Sequence, residues 1–415
     1  MRDMIGKTSP SSVEFIILVA FLNAFAAISI DAMLPSVGQI ARELGAENPN
    51  SRQFIITTFF AGLMIGTLVY GPWSDSLGRK PAIIIGLIFY SLGSLVCLLS
   101  ESFGIMLLGR FLQGFGAAAP RYISIAMVRD RYSGAAMARM MSFVILVFLL
   151  VPMVSPGIGQ LVLLIASWRT IFMGLLICGV LSGIWLWRRQ EETLLPENRR
   201  PFSFAALGNA AGQVLRHPIA MGYTIASGLN YGIFIIYLNT SQQIFAEEYA
   251  QGAYFPLWFA FFASGFALAM VVNAKLVNLY GMRRLSSLAL QVLVAISVLF
   301  LGVCLLWGGH PPLWALALFF VHGVFFQRIA ARQFQRHHHG ALGERCRNGI
   351  GDFRHTLFRH SHPVRRLHRP PLSGHRHSPG GWICRTQRHG ARGYLAHVTK
   401  TRKYRKDSMN SGQVV

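Results

Sequence analysis

Residues 71–81 read GPWSDSLGRKP and stand between two long apolar runs. Gly71 would permit close approach of two helices at a membrane edge, and Gly78 allows a tight turn. Asp75 stands near a helix end, where it can pair with a cation or with a helix N-terminus. A simple turn with basic anchors on the cytoplasmic side would explain Arg79 and Lys80. It would not explain the spacing of the full set of residues from Gly71 to Lys80. The stretch predicts a functional polar loop between two membrane helices.

The composition around this stretch predicts an all-α polytopic membrane protein. The chain has 415 residues, of which 53% are hydrophobic and 13% charged, with a mean hydropathy of +0.43. A soluble protein carries about 25% charged residues, and a membrane helix needs about 20 apolar residues. Ten candidate spans lie near 14–36, 53–73, 81–100, 103–127, 139–164, 168–188, 218–240, 254–275, 285–307 and 312–326.

Basic residues predict the orientation of these spans. Lys and Arg accumulate in the short cytoplasmic loops of membrane proteins. One set of loops is rich in them: Arg79, Lys80, Arg129, Arg131, Arg139, Arg188, Arg189, Arg199, Arg200, Arg283 and Arg284. The opposite loops hold mainly Glu43, Glu47, Glu101, Glu247 and Glu248. We therefore expect a cytoplasmic N-terminus and a multi-pass protein of the cell inner membrane.

The fourth span carries two arginines, Arg110 and Arg121, with Gln113 between them. A buried arginine costs several kcal/mol unless it faces a partner or water. Eleven residues at about 100° each place the two arginines within about 20° of one face. They are therefore predicted to line a cavity. The alternative is that Arg110 reaches the outer interface.

Two further spans contain unusual residues. Asp31 is the only carboxylate well inside any of the ten spans, and intramembrane carboxylates serve proton relays. Its alternative role is to cap a helix end at the interface. The fifth span contains residues that weaken a helix and permit bending: Pro152, Pro156, Gly157 and Gly159. A purely structural kink is the alternative there.

These motifs resemble those of a known family. Residues 71–80 resemble the G-x-x-x-D-x-x-G-R-K signature of the major facilitator superfamily. Residues 110–114 are similar to the R-x-x-Q-G motif of its proton-coupled members. With the D-x-x-L-P pattern of 31–35, they resemble the Bcr/CflA branch of drug:proton antiporters. The likeness covers about residues 14–326.

The fifth span is a partial match to the antiporter motif G-P-x-x-G-G of exporters in this superfamily. Ser155 replaces the first glycine of that motif, and Gln160 replaces its last. We predict that Asp31 exchanges protons, that Arg110 and Arg121 tune its pKa and the potential of the cavity, and that Gln113 belongs to the same proton/substrate coupling site. Asp130 would pair with the Arg79 loop and latch one conformation.

The resemblance implies two six-helix halves. We predict an N-terminal bundle at 1–188, a cytoplasmic linker at 189–216 and a truncated C-terminal bundle of about four helices at 217–326. In the second half, Asn230 and Tyr231 are candidates for a substrate cavity. Polar residues there also serve to join helices, and we favour that role.

Residues 327–415 do not fit this plan. They hold 19 Lys and Arg, 3 Asp and Glu, and 11 of the 14 His. A nucleic-acid arm or a His-rich metal tract is possible, but codons read one base later from Arg332 permit an apolar helix. We therefore predict a frameshift, a disordered tail, and a chain that is poorly folded or inactive.

The predicted function is a proton-coupled antiporter that exports drugs or other small molecules. Its expected partners are the lipid bilayer, protons and small lipophilic substrates, with no nucleic acid, cofactor or metal, and we expect a monomer. The alternatives are a metabolite transporter of the same superfamily, a non-functional remnant, or a membrane-tethered nucleic-acid binder. No nucleophile, metal cluster or phosphate loop favours an enzyme.

Overall fold

The computed structural model describes residues 12–330. The described chain is built from helices joined by short turns, and no strand occurs in this part. The predictions of a frameshift and of a disordered tail concern residues almost entirely outside it. The helices are α1 Ser12–Asp31, α2 Val37–Glu43, α3 Gln53–Leu77, α4 Arg79–Leu98, α5 Phe103–Arg131, α6 Gly134–Ile165, α7 Trp168–Arg189, α8 Phe204–Leu215, α9 Pro218–Gln243, α10 Phe255–Tyr280, α11 Met282–Leu306 and α12 Leu313–Ala330.

The length and composition of these helices confirm the predicted fold class. Nine of the described helical segments are long and apolar enough to cross a membrane. Their outward faces carry large apolar side chains, with Ile165 88% and Leu306 81% exposed. Apolar surface on this scale is stable in lipid rather than in water.

The predicted fourth span corresponds to α5, which is the most polar of the long helices because it contains Arg110 and Gln113. Its 29 residues are long enough to span a bilayer. It packs against both α3 and α4. A Cβ at Gly114 would lie 2.0 Å from the Phe59 carbonyl oxygen, and one at Gly116 would lie 2.2 Å from the Tyr90 nitrogen. Glycine thus lets the three backbones touch, which fixes the core of the first six spans.

Two boundaries differ from the sequence prediction. The predicted linker 189–216 contains the helix α8, which the polar composition of this stretch did not indicate. The last predicted span, 312–326, is part of α12, which continues to Ala330. The Arg and Gln residues after Phe326 interrupt the apolar run but do not break the helix, since both are good helix formers.

Candidate functional site

Arg110 lies at the centre of the packed helices and is fully buried. Its Nε donates to the Ile55 carbonyl oxygen at 3.2 Å, and its Nη1 donates to the Ser29 carbonyl oxygen at 3.2 Å. Nη1 also donates to Oε1 of Gln113. Arg110 therefore joins α5 to α1 and α3, and it does not reach the outer interface.

The charge of Arg110 is stabilised without a carboxylate. No described carboxylate oxygen lies within 4.0 Å of its guanidinium group. The guanidinium carbon lies instead 4.5 Å from the centre of the Phe59 ring, in cation–π contact. This arrangement suits a structural cation that holds helices together.

Gln113 extends the Arg110 contacts to α4. Its Nε2 donates to the Ser94 hydroxyl at 2.8 Å, and Ser94 donates to the Tyr90 carbonyl oxygen at 2.9 Å. The Tyr90 hydroxyl lies 2.7 Å from the Ser29 hydroxyl of α1. The network is buried throughout and joins α1, α3, α4 and α5.

Arg121 lies in a different environment, although the helical period places it on nearly the same face as Arg110. The two residues are separated by about 16 Å of helix rise. The Arg121 carbonyl oxygen accepts a bond from Asn23 at 2.9 Å, and its guanidinium lies 5.8 Å from the Phe148 ring centre. The two arginines therefore do not share a site.

Asp31 ends α1 and is 4% exposed. The residues on either side of it, Ile30 and Ala32, belong to the same buried core as Tyr237 of α9. Neither Arg110 nor Arg121 bonds to it, because Ser29, which Arg110 contacts, and Asp31 are about 200° apart around α1. The structure thus brings Asp31 to the second half of the chain and separates it from both predicted coupling arginines.

The predicted kink segment lies on α6, which runs as one helix through Pro152 and Pro156. A Cβ at Gly159 would lie 1.8 Å from the Ala32 carbonyl oxygen. Gly159 therefore allows α6 to touch α1 directly behind Asp31. A Cβ at Gly157 would meet nothing within 4 Å, so Gly157 has no such packing role.

The loop at residues 71–81 forms an ion cluster around Arg79. Its Nε lies 2.9 Å from Asp130 on α5, and its Nη1 lies 2.5 Å from Asp75. Nη1 also donates to the Ser74 hydroxyl at 2.8 Å. Gly71 does not make the expected close approach, because a Cβ there would meet no described atom within 4 Å.

Glu192 completes this loop and was not predicted from the sequence. Its carboxylate accepts from the backbone nitrogens of Arg79 at 2.9 Å and Lys80 at 3.1 Å, which begin α4. Gly78 has φ +109°, and a Cβ there would lie 2.4 Å from Glu192 Oε2. The Lys80 ammonium donates to the Trp187 carbonyl oxygen at 2.8 Å. The segment after α7 is therefore anchored on the loop.

The two candidates in the second half have different surroundings. Asn230 donates to the Gln327 carbonyl oxygen at 3.2 Å, and Gln327 Nε2 donates to the Asn230 carbonyl oxygen at 2.7 Å. These bonds join α9 to α12, so Asn230 has the helix-joining role. Tyr231 faces the first half, with its ring 6.2 Å from that of Phe60 on α3.

Polar contacts connect the halves near the turns that follow α2 and α9. Arg52 and Glu247 form an ion pair at 2.6 Å. Gln243 lies 3.4 Å from Gln53 and 3.3 Å from Asn50. Residues 12–330 contain no group of three or more His, Cys, Asp or Glu placed to hold a metal ion.

The apolar helices, the buried charges inside them and the ion-paired loop define a polytopic membrane transporter. The chain belongs to the Major Facilitator Superfamily, whose family model matches residues 16–335. This family membership confirms the predicted superfamily and identifies a transporter rather than an enzyme.

Several bacterial proteins are similar to the chain. An "Uncharacterized MFS-type transporter YdgK" of Bacillus subtilis (strain 168) is 31% identical over 66% of this chain and 68% of that protein. A "Bicyclomycin resistance protein homolog" of Haemophilus influenzae is 28% identical over 75% of this chain and 78% of that protein. "Multidrug resistance protein MdtL" of Klebsiella pneumoniae (strain 342) is 25% identical over 53% and 55%.

Solved transporter structures share the fold. The xylose transporter XylE from E. coli has a TM-score of 0.61 at 13% identity, covering 80% of this chain and 88% of that chain. The human organic anion transporter MFSD10 has a TM-score of 0.57 at 18% identity, covering 79% and 85%. At these identities the likeness shows the fold alone.

Proposed function

We propose that the protein is a proton-coupled antiporter that exports drug-like small molecules across the bacterial inner membrane, with its N-terminus in the cytoplasm. The observation that carries the proposal is Asp31, a buried carboxylate inside a membrane helix, whose neighbours Ile30 and Ala32 share a buried core with Tyr237 of the other half. A relative named for bicyclomycin resistance and another named for multidrug resistance support export as the direction.

In this mechanism Asp31 takes up a proton on the outer side and releases it on the inner side. Neutralising the carboxylate removes the cost of holding a charge between helices, so protonation favours one arrangement of the halves. Gly159 keeps α6 in backbone contact with residue 32, so a shift of α1 at Asp31 reaches α6 directly. Protonation and helix movement are thereby coupled.

The remaining predicted residues hold or latch the first half. Arg110 and Gln113 join the helices of the 1–188 bundle, so that bundle moves as one body. The Arg79 contact with Asp130 latches it at the cytoplasmic side. The 217–326 bundle rocks against it about the linker 189–216, as alternating access requires. The protein acts as a monomer, because one chain supplies both halves.

The test is bicyclomycin resistance in a sensitive bacterial strain that expresses the full chain. In the version that exports, this chain or the frame-restored one described below, we expect resistance with the native Asp31 and with Asp31→Glu, and its loss with Asp31→Asn. Glu101→Gln, on an exposed carboxylate, is the matched control and should retain resistance. Export measured in inverted vesicles should collapse when the proton gradient is dissipated.

The predicted frameshift requires a second version of the protein in this experiment. A gene shifted by one base after codon 332 is expressed beside the original, with equal membrane levels checked. Proton-driven export by either version supports the proposal. Export that persists with Asp31→Asn, or absence of export in both versions, overturns it.

A further inference from the structure

An apolar groove runs between α4 and α7 on the outside of the helix bundle. The two helices are antiparallel, because Lys80 at the start of α4 bonds to Trp187 near the end of α7, and Arg169 at the start of α7 bonds to the Ser100 carbonyl oxygen after α4. The groove lies between residues 84–95 of α4 and 176–187 of α7 and has a volume of about 390 Å³. This volume is in the range of ligand sites. We call it the α4–α7 groove.

Glycine residues of α7 shape the floor of this groove. A Cβ at Gly179 would lie 2.7 Å from the Ser91 hydroxyl oxygen and 2.9 Å from the Tyr90 ring, so the two helices touch at this level. One turn further along α7, a Cβ at Gly183 would meet only the Leu87 side chain, at 3.9 Å. The close contact at one glycine and the missing side chain at the other leave a recess that opens outward.

The length of the groove matches one leaflet of a bilayer. Each wall covers eleven residue steps, which give about 16 Å of helix rise. The hydrocarbon core of a bilayer is about 30 Å thick, so one leaflet is about 15 Å deep. The side chains at the rim are apolar and face lipid, with Ile88 54% and Val180 46% exposed. A single fatty acyl chain therefore fits lengthwise in this recess.

One end of the groove carries positive charge. Lys80 precedes the lining residue Ile84 by four positions, and Arg188 follows the lining residue Ile184 by four, so each basic residue extends a wall by about one turn. The Lys80 ammonium donates to the Trp187 carbonyl oxygen at 2.8 Å, which holds it at the end of α7. Arg188 is exposed and forms no ion pair within the described chain.

The surroundings of this basic end suit a lipid head group. Glu14 and Glu192, two carboxylates near it, are already bonded: Glu14 pairs with Arg189 at 2.8 Å, and Glu192 accepts from the backbone nitrogens that begin α4. Trp187 is 62% exposed, and tryptophan at the end of a membrane helix sits at the level of the head groups. An apolar recess thus ends beside an indole ring and two cations.

We propose that the α4–α7 groove binds one anionic phospholipid, with an acyl chain between the two helices and its phosphate beside Lys80 and Arg188. Basic residues between membrane helices bind anionic head groups electrostatically. The acyl chain fills the recess beside Gly183, so a bound lipid stabilises the packing of α7 against α4. This inference concerns a lipid partner and does not depend on proton coupling or on the direction of transport.

The experiment compares lipids that share acyl chains and differ in head group. Native mass spectrometry measures the Kd of the first lipid bound by the purified, delipidated full chain in detergent. Dipalmitoyl phosphatidylglycerol should bind about tenfold more tightly than dipalmitoyl phosphatidylethanolamine, a difference of about 1.4 kcal/mol. Glycerophosphate, which has no acyl chain, should not bind measurably. A version shifted by one base after codon 332 keeps the whole groove and should give the same result.

Two variants fill the groove with a side chain. Gly183→Leu should weaken phosphatidylglycerol binding about tenfold. Gly174→Leu lies on the same helix outside the groove, where a Cβ would meet nothing within 4 Å, and is the matched control that should bind like the native chain. Ile88→Trp fills the groove from the exposed rim of α4 and should act like Gly183→Leu without disturbing the core. Melting temperatures without lipid report that each variant is folded.

A further variant tests the charged end. Arg188→Gln should lower the preference for phosphatidylglycerol about fivefold, which corresponds to about 1 kcal/mol, and leave phosphatidylethanolamine binding unchanged. Arg188→Lys keeps the charge and should keep the preference. Arg139→Gln, on an exposed arginine of α6, is the matched control and should change neither lipid.

Equal binding of the two lipids by the native chain would mean that only unselective boundary lipid occupies the groove, and it overturns the inference. An equal effect of Gly183→Leu and Gly174→Leu overturns it too, as does an unchanged lipid preference in Arg188→Gln. Phosphatidylglycerol should raise the melting temperature of the native chain and of Gly174→Leu but not that of Gly183→Leu or Ile88→Trp. The same rise in all four proteins also counts against the groove as the site.

Discussion

Arg52 and Glu247 form an ion pair at 2.6 Å that joins the turn before α3 to the end of the helical segment after α9. It lies among amide contacts between the same two halves, on the side proposed to face outward. We predict that Arg52→Glu opens this side, because two like charges then face each other. Thr57→Cys, on α3 below the pair, should become more reactive to a membrane-impermeant maleimide added outside cells.

The combined variant Arg52→Glu with Glu247→Arg restores an opposite-charge pair and should return labelling to its starting level. A partly exposed pair contributes up to about 1 kcal/mol, so labelling should rise several-fold at most. Background labelling is measured on the same protein with Thr57 intact. Equal labelling in the single and double variants would show that the pair does not close the two halves.

Glu192 is predicted to stabilise the loop before α4. Replacement by Ala leaves the backbone N–H groups of Arg79 and Lys80 without their acceptor. Loss of a helix cap of this kind costs about 1 kcal/mol in the free energy of unfolding. Glu191→Ala, the exposed neighbour, is the matched control. A detergent thermal melt in which both variants unfold at the native temperature would contradict the capping role.

Gly159 and Gly157 provide a matched pair on α6. Gly159→Ala places a methyl group 1.8 Å from the Ala32 carbonyl oxygen, so the helices must separate behind Asp31. We expect destabilisation of about 1–3 kcal/mol and loss of resistance. Gly157→Ala meets open space and should be neutral or stabilise the helix by up to about 1 kcal/mol. Similar melting temperatures for the two variants would refute the contact.

We predict that no other cationic residue can replace Arg110. Lysine carries a single ammonium group and cannot bond to the carbonyl oxygens of Ser29 and Ile55 and to Gln113 in the same fork. Arg110→Lys should reduce stability by about 2 kcal/mol. The comparison is Arg121→Lys, at a half-buried position of the same helix, which should melt at the native temperature. An unchanged melting temperature for Arg110→Lys would contradict the structural role of Arg110.

The reading frame after residue 332 is a prediction about the gene itself. Its nucleotides, read one base later, should encode an apolar segment rich in small residues and free of Arg. Sequencing codons 320–335 and the following bases decides the matter directly. A shifted frame rich in charged residues or stop codons would reject the frameshift.

The site was only partly predictable from the sequence. The resemblance to the superfamily motifs indicated the pairing of Asp130 with the Arg79 loop, which chain proximity alone would not have indicated. Glu192 was missed, since a single carboxylate in a polar linker carries no periodic signal. The end of α12 was missed because the basic residues that follow Phe326 obscured it.

Helical periodicity also misplaced one relationship. It put Arg110 and Arg121 on one face of α5, and their spacing does satisfy that geometry. The neighbours differ at the two heights: α1 and α3 contact the Arg110 side chain, whereas Phe148 of α6 lies near the Arg121 guanidinium. A face of a helix therefore does not define a site, because each turn along it meets different partners.

The sequence by itself determined the membrane class, the family and most of the spans, because about 20 apolar residues suffice to make a membrane helix whatever its neighbours. Tertiary structure decided which polar groups meet: Arg110 with the Ser29 carbonyl oxygen, Glu192 with the start of α4, and Arg52 with Glu247. The physical reason is that each such contact joins residues far apart in the chain. Only the packing of helices at glycine contacts, such as Gly159 against Ala32, brings those residues within reach.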